Sequence, residues 1–105
     1  MQQRDQAILE EFAGRVRALY PSARIWAFGS RTRADARADS DLDVCVVLNE
    51  VSPEIRTVIS DLAWEVGFDN DLLISTVLFS TEMFERGRCS ASGIVQTIRE
   101  EGVAA

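Results

Sequence analysis

Asp41 and Asp43 stand two residues apart in "SDLDVCVVL", where a polar stretch gives way to an apolar one. In an extended strand, residues i and i+2 point to the same face, about 7 Å apart along the chain. Two carboxylates held that close repel each other and lose solvation together. A divalent cation relieves both costs, and oxygen-only ligands suit Mg²⁺, with Mn²⁺ as a second choice. The plainer alternative is a strand entrance whose two acids face water. The preceding apolar run, "ARIWAFGS", ends on Gly29-Ser30. Glycine admits a ligand close to the backbone, and the serine can cap a turn whose N–H groups face an anion. Arg31, Arg33 and Arg37 follow and can contact phosphates. Taken singly, each of these features is matched by an ordinary polar turn.

These residues need elements to hold them. From about Arg4 to Tyr20, the apolar residues Ile8, Leu9, Phe12, Val16, Leu19 and Tyr20 recur at helical spacing, and Pro21 stops the run. "ARIWAFGS" reads as a short strand. "DLDVCVVL" reads as a second strand, apolar at both parities past its acidic start, and therefore central and buried on both faces. Ser52-Pro53-Glu54 opens a helix that carries Ile55, Val58, Ile59, Leu62 and Val66 and stops near Gly67. "DLLISTVLF" is a third strand. Ser80-Thr81-Glu82 starts a short helix, and "ASGIVQTIREEG" is a last one ending at Gly102. The order helix, strand, charged loop, strand, helix, strand, helix, helix predicts an α/β (α+β) fold. Its small twisted sheet should have a central strand beginning near Asp41 and helices packed on one face. In the last helix Ile94, Val95 and Ile98 form a narrow apolar stripe, read as core or, with Trp26 and Trp64, as a docking face.

Composition narrows the functions. Seventeen acidic against eleven basic residues give a net charge of -6. A long polyanion is repelled by that balance, so direct nucleic-acid binding is not expected, while a few phosphates can still be met by a local arginine cluster. The absence of histidine removes His-based triads and most zinc sites. Cys45 and Cys89 are expected as free thiols. "MQQRDQAILEE" has no signal-like apolar region, and no apolar stretch approaches the ~20 residues of a membrane span. A cytoplasmic location without membrane association is the expectation.

The combination of Gly29-Ser30, ten residues from Arg31 to Ser40, and Asp41-x-Asp43 has the spacing of the nucleotidyltransferase superfamily typified by DNA polymerase beta. "GSRTRADARADSDLDV" closely resembles the version in minimal nucleotidyltransferases, small proteins often encoded beside a HEPN-domain toxin as its antitoxin. "LAWEVG", "DLLISTVLFS" and "IREEGV" are similar to the same family, so the resemblance covers nearly the whole chain. It implies a polymerase-beta-like nucleotidyltransferase fold, a small mixed twisted sheet with helices packed on it, as one domain over 1–105. One position departs from the family pattern: Ala34 stands where glycine is usual, which matters if the backbone there needs a positive φ.

The resemblance further implies transfer of AMP from ATP to a hydroxyl. Two Mg²⁺ (or Mn²⁺) ions roughly 3.5–4 Å apart would clamp the attacking and leaving oxygens. Asp41 and Asp43 would hold them. Asp71 matches the family's third carboxylate, which would hold the metal nearest the attacking hydroxyl or take its proton, with Asp69 as fallback. Gly29, Ser30 and Ser40 fall on the nucleotide-binding side, and Arg31 and Arg33 could neutralise departing pyrophosphate. The acceptor surface is expected from a partner, in the paired systems a HEPN ribonuclease toxin modified on a tyrosine, so a hetero-oligomer is expected. Two alternatives stand beside this reading. One is a catalytically idle nucleotide-binding module that neutralises its partner by contact. The other is a small-molecule enzyme of the aminoglycoside-modifying kind.

Overall fold

The computed structural model describes residues 1–33, 40–87 and 92–105. Ala34, Arg37 and Cys89, singled out above, lie outside the described residues. Among the described residues, four α-helices and four strands follow one another as α1 (Gln3–Leu19), β1 (Arg24–Phe28), β2 (Leu42–Leu48), α2 (Pro53–Asp69), β3 (Ile74–Ser80), α3 (Thr81–Glu85), α4 (Gly93–Glu101) and β4 (Val103–Ala104). The strands form one mixed sheet in the order β3-β2-β1-β4. β1 runs antiparallel to β2, with Phe28 opposite Asp43. β3 runs parallel to β2, with Ser75 opposite Asp43. The end of β1 and the starts of β2 and β3 therefore meet at one end of the sheet.

Both faces of the sheet are covered, which corrects the expectation of helices on one face only. On the first face, Leu42, Val44, Val46 and Leu48 of β2 pack with Ile8, Leu9, Phe12 and Val16 of α1 and Ile59, Ala63 and Val66 of α2. On the second, Cys45 and Val47 pack with Phe79, with Phe84 of α3, and with Val95 and Ile98 of α4. The reason is visible in β2 itself: a strand apolar at both parities must bury both sides. Val95 and Ile98 are thus core and leave no docking stripe on α4, since of the three stripe residues Ile94 alone is exposed. Trp26 is half-buried and stacks on Phe84 with centroids 5.3 Å apart.

Local chemistry sets the ends of the elements. The Ser52 hydroxyl accepts from the Ile55 N–H at 3.2 Å, with Pro53 at the first helical position of α2. Ser80 and Ser92 cap α3 and α4 in the same way. At the far end of α2 the chain turns back through Gly67, whose carbonyl accepts from the Leu72 N–H at 2.9 Å. A Cβ at Gly67 would lie 2.4 Å from the Leu72 carbonyl oxygen, so only glycine permits this close approach. No helix among the described residues is long and apolar enough to cross a membrane.

Candidate active site

The site forms where β1 ends and β2 begins. Antiparallel pairing sets Phe28 against Asp43, so the next residue, Gly29, comes to rest against the Asp43 carboxylate. A Cβ built on Gly29 would sit 2.4 Å from Asp43 Oδ2. Gly29 also has φ 82° and ψ -162°, a conformation restricted almost entirely to glycine. Two independent constraints, space and backbone, therefore require glycine here. A single 3₁₀ turn, Ser30–Thr32, follows, with the Thr32 N–H and hydroxyl both donating to the Gly29 carbonyl, at 3.1 and 2.6 Å.

Asp43 is half-buried on the face shared with Cys45 and Val47. Its carboxyl is raised above the usual carboxylate range, first by burial and then by the negative charge of Asp41. The two aspartates thus sense each other, as their spacing predicts. Two residues deeper, the Cys45 thiol is fully buried and pushed up to about 12 by desolvation, which leaves it an inert core group.

Arg31, expected to meet phosphate, is engaged within the protein. It is 7% exposed, and its Nη1 donates to both carboxylate oxygens of Asp5 at 3.2 and 3.1 Å. Its Nε donates to the Ser40 carbonyl at 2.6 Å. The residue joins the start and the end of the charged loop and ties both to α1. Asp5, 2% exposed, escaped the sequence reading. A signal was present: Asp5 lies in phase with Ile8, Leu9 and Phe12, an acid on the apolar stripe of its helix. Arg33 instead reaches Glu101 at the end of α4 at 3.6 Å, with both side chains about half exposed. An ion pair this exposed is worth about 0–1 kcal/mol, so an arriving phosphate can compete for the guanidinium.

Neither candidate for a third carboxylate joins Asp41 and Asp43. Asp71 is exposed in the turn after α2, with φ 52°. The Gly67–Leu72 hydrogen bond holds that turn closed, and β3 begins only at Ile74. Asp69 ends α2 and pairs with Arg15 at 3.7 Å. Among the described residues, no group of three or more acidic, Cys or His side chains is placed to hold a metal ion. The position beside Asp43 on β3 belongs to Ser75. Two adjacent carboxylates are a donor set that would suit one Mg²⁺ if nucleotide phosphates and water completed its shell.

The family model described as "Nucleotidyltransferase domain" matches residues 9–104. The chain belongs to the nucleotidyltransferase domain family. No curated protein matches it. Among solved structures, the nucleotidyltransferase is similar to a chain of the toxin-antitoxin MntA-HpeT complex carrying two Asp-to-Glu changes. The TM-score is 0.60 at 18% identity, over 90% of this chain and 69% of that one. A Tyr-to-Ala mutant of the same complex matches with TM-score 0.60 at 20% identity, over 91% and 69%. A chain of the Shewanella oneidensis complex of tri-AMPylated HEPN toxin with MNT antitoxin matches with TM-score 0.56 at 20% identity, over 95% and 70%. The nucleotidyltransferase shares the fold of these proteins.

Proposed function

We propose that this nucleotidyltransferase transfers AMP from ATP to a hydroxyl of a partner protein, a tyrosine of a HEPN ribonuclease toxin, and so acts as an antitoxin. The observation that carries the reading is the contact of Gly29 with the Asp43 carboxylate beside Asp41, in a chain whose family is nucleotidyl transfer. The fold shared with complexes of MNT antitoxin and AMPylated HEPN toxin supports the choice of partner and of nucleotide.

In this reading Asp41 and Asp43 would hold Mg²⁺, which would supply charge neutralisation of the triphosphate. Gly29 and Ser30 lie against the β- and γ-phosphates, where the missing side chain at Gly29 leaves room. Arg33 exchanges Glu101 for departing pyrophosphate. Arg31 and Asp5 position the loop. The acceptor oxygen forms the new bond to the α-phosphorus, pyrophosphate leaves with the electrons of the broken P–O bond, and the acceptor releases its proton.

A second reading, a binding module with an idle site, is favoured by one observation: Asp71 stands away from Asp41 and Asp43. Intact-mass spectrometry of the protein co-expressed with its HEPN partner separates the two. AMP units on the partner that need ATP, Mg²⁺ and both aspartates support transfer. Stable binding without added mass, together with full neutralisation by the Asp41→Asn/Asp43→Asn double variant, would refute it in favour of the binding module.

A further inference from the structure

The geometry points to a site that takes one divalent cation with its nucleotide rather than two, because Ser75 occupies the place on β3 from which a carboxylate would anchor the second. The inference rests on the nucleotide-site reading of Asp41 and Asp43 and concerns how many ions that site admits.

Two divalent cations roughly 3.5–4 Å apart repel strongly, so a two-ion clamp needs anionic donors around both. One carboxylate pair with the nucleotide phosphates supplies enough for one ion, and the second needs a further acid on the side away from the triphosphate. The two strands flanking β2 decide what can stand there. On β1, Phe28 lies opposite Asp43 and Gly29 follows it. On β3, Ser75 lies opposite Asp43 and is exposed on the same face. One step earlier on that face is Leu73, 62% exposed, whose carbonyl accepts from the Leu42 N–H at 2.9 Å. Among the described residues, the strand neighbours of Asp43 are therefore a phenyl ring, a glycine and a hydroxyl, with an isobutyl group beside Asp41, and none of these carries charge. A hydroxyl can complete the shell of an ion held by others, but it cannot offset the charge of another one.

Asp71 does not stand beside Asp43: it lies four residues before Ser75, about 13 Å along an extended strand, and it falls in the turn before β3, with φ 52°. Its turn is pinned on either side by the Gly67–Leu72 hydrogen bond and by the burial of Leu72 in the core. Asp69 is farther along the chain and is engaged by Arg15. Among the described residues, the register of β2 with β3 therefore brings no third acid beside Asp43.

The count is read directly with Mn²⁺ as probe. Bound Mn²⁺ is measured by loss of the free-ion EPR signal during titration of the whole protein saturated with a non-hydrolysable ATP analogue. One ion per protein is expected for the unaltered chain and for Ser75→Ala. Ser75→Asp is expected to add a second ion, bound at least about tenfold more tightly than any weak second ion of the parent. Two tight ions in the unaltered chain would overturn the inference and reveal a donor outside the described residues. So would loss of the ion in Ser75→Ala, or a count that stays at one in a Ser75→Asp protein with a native circular-dichroism melt. The count for the unaltered chain decides by itself if Ser75→Asp does not fold. No bound ion at all would overturn the nucleotide-site reading along with the inference, whereas a count of two leaves that reading standing.

Discussion

Asp43 carries a cost that its own replacement should expose. Its carboxyl is raised by burial and by Asp41, so the folded state holds that proton more tightly than the unfolded chain does. Between the ordinary carboxylate value and the raised one, metal-free stability must fall as pH rises, and above that window the penalty is complete. Asp43→Asn removes it. In EDTA at neutral pH the variant is expected to melt a few degrees higher than the parent. The difference should vanish below the ordinary carboxylate range, and transfer activity should be lost at every pH. Thermal melts over a pH series check this, and a variant that melts lower in EDTA would mean that Asp43 has a structural partner. The juxtaposition of Gly29, Asp41 and Asp43 was legible because it depends on short spacings along the chain. Asp71 was not, because its side chain shares the parity of a strand that had not yet begun. The left-handed turn at Asp71 delays β3 until Ile74, and only register with β2 reveals that Ser75 is the neighbour.

At the scale of elements, α1 does more than cover the sheet. Its first turn supplies Asp5 to Arg31, whose other bond fixes Ser40 just before Asp41. Removing one member of a buried ion pair leaves an uncompensated charge and costs about 3–5 kcal/mol. Asp5→Ala is expected to lose stability of that order in urea unfolding, and Asp5→Ala/Arg31→Met to recover most of it. Equal losses in both would show that packing, not charge, holds the loop. The helices were readable because apolar spacing and the caps at Ser52 and Ser80 agree with each other. β4 was not: two residues, Val103 and Ala104, mean nothing locally and become a strand only by pairing with Trp26 and Ala27. The helix coverage of both faces was implicit in β2, whose buried odd positions required α3 and α4 opposite α1 and α2.

For the whole molecule, the exposed apolar surface sits elsewhere than the last helix suggested. Trp64 and Phe68 stack at 5.1 Å on the outer side of α2, 63% and 72% exposed, and Leu73 lies in the same shallow pocket with Asp71. Sequence periodicity marked Val95 and Ile98 as apolar but could not tell that Phe84 and Cys45 would bury them. The tight fit of Gly29 on a crowded carboxylate pair bears on the lifetime of the protein as well as on its chemistry. An empty site stores repulsion, and a filled one releases it. Ligand at 100 times its dissociation constant adds about 2.7 kcal/mol to folding, roughly a hundredfold fewer unfolded molecules at any moment. Limited proteolysis should therefore run much more slowly with ATP and Mg²⁺ than with either alone, and equal rates would deny the linkage. On the proposed reading, a cell rich in ATP would keep this chain, and one starved of it would let proteases draw the chain down.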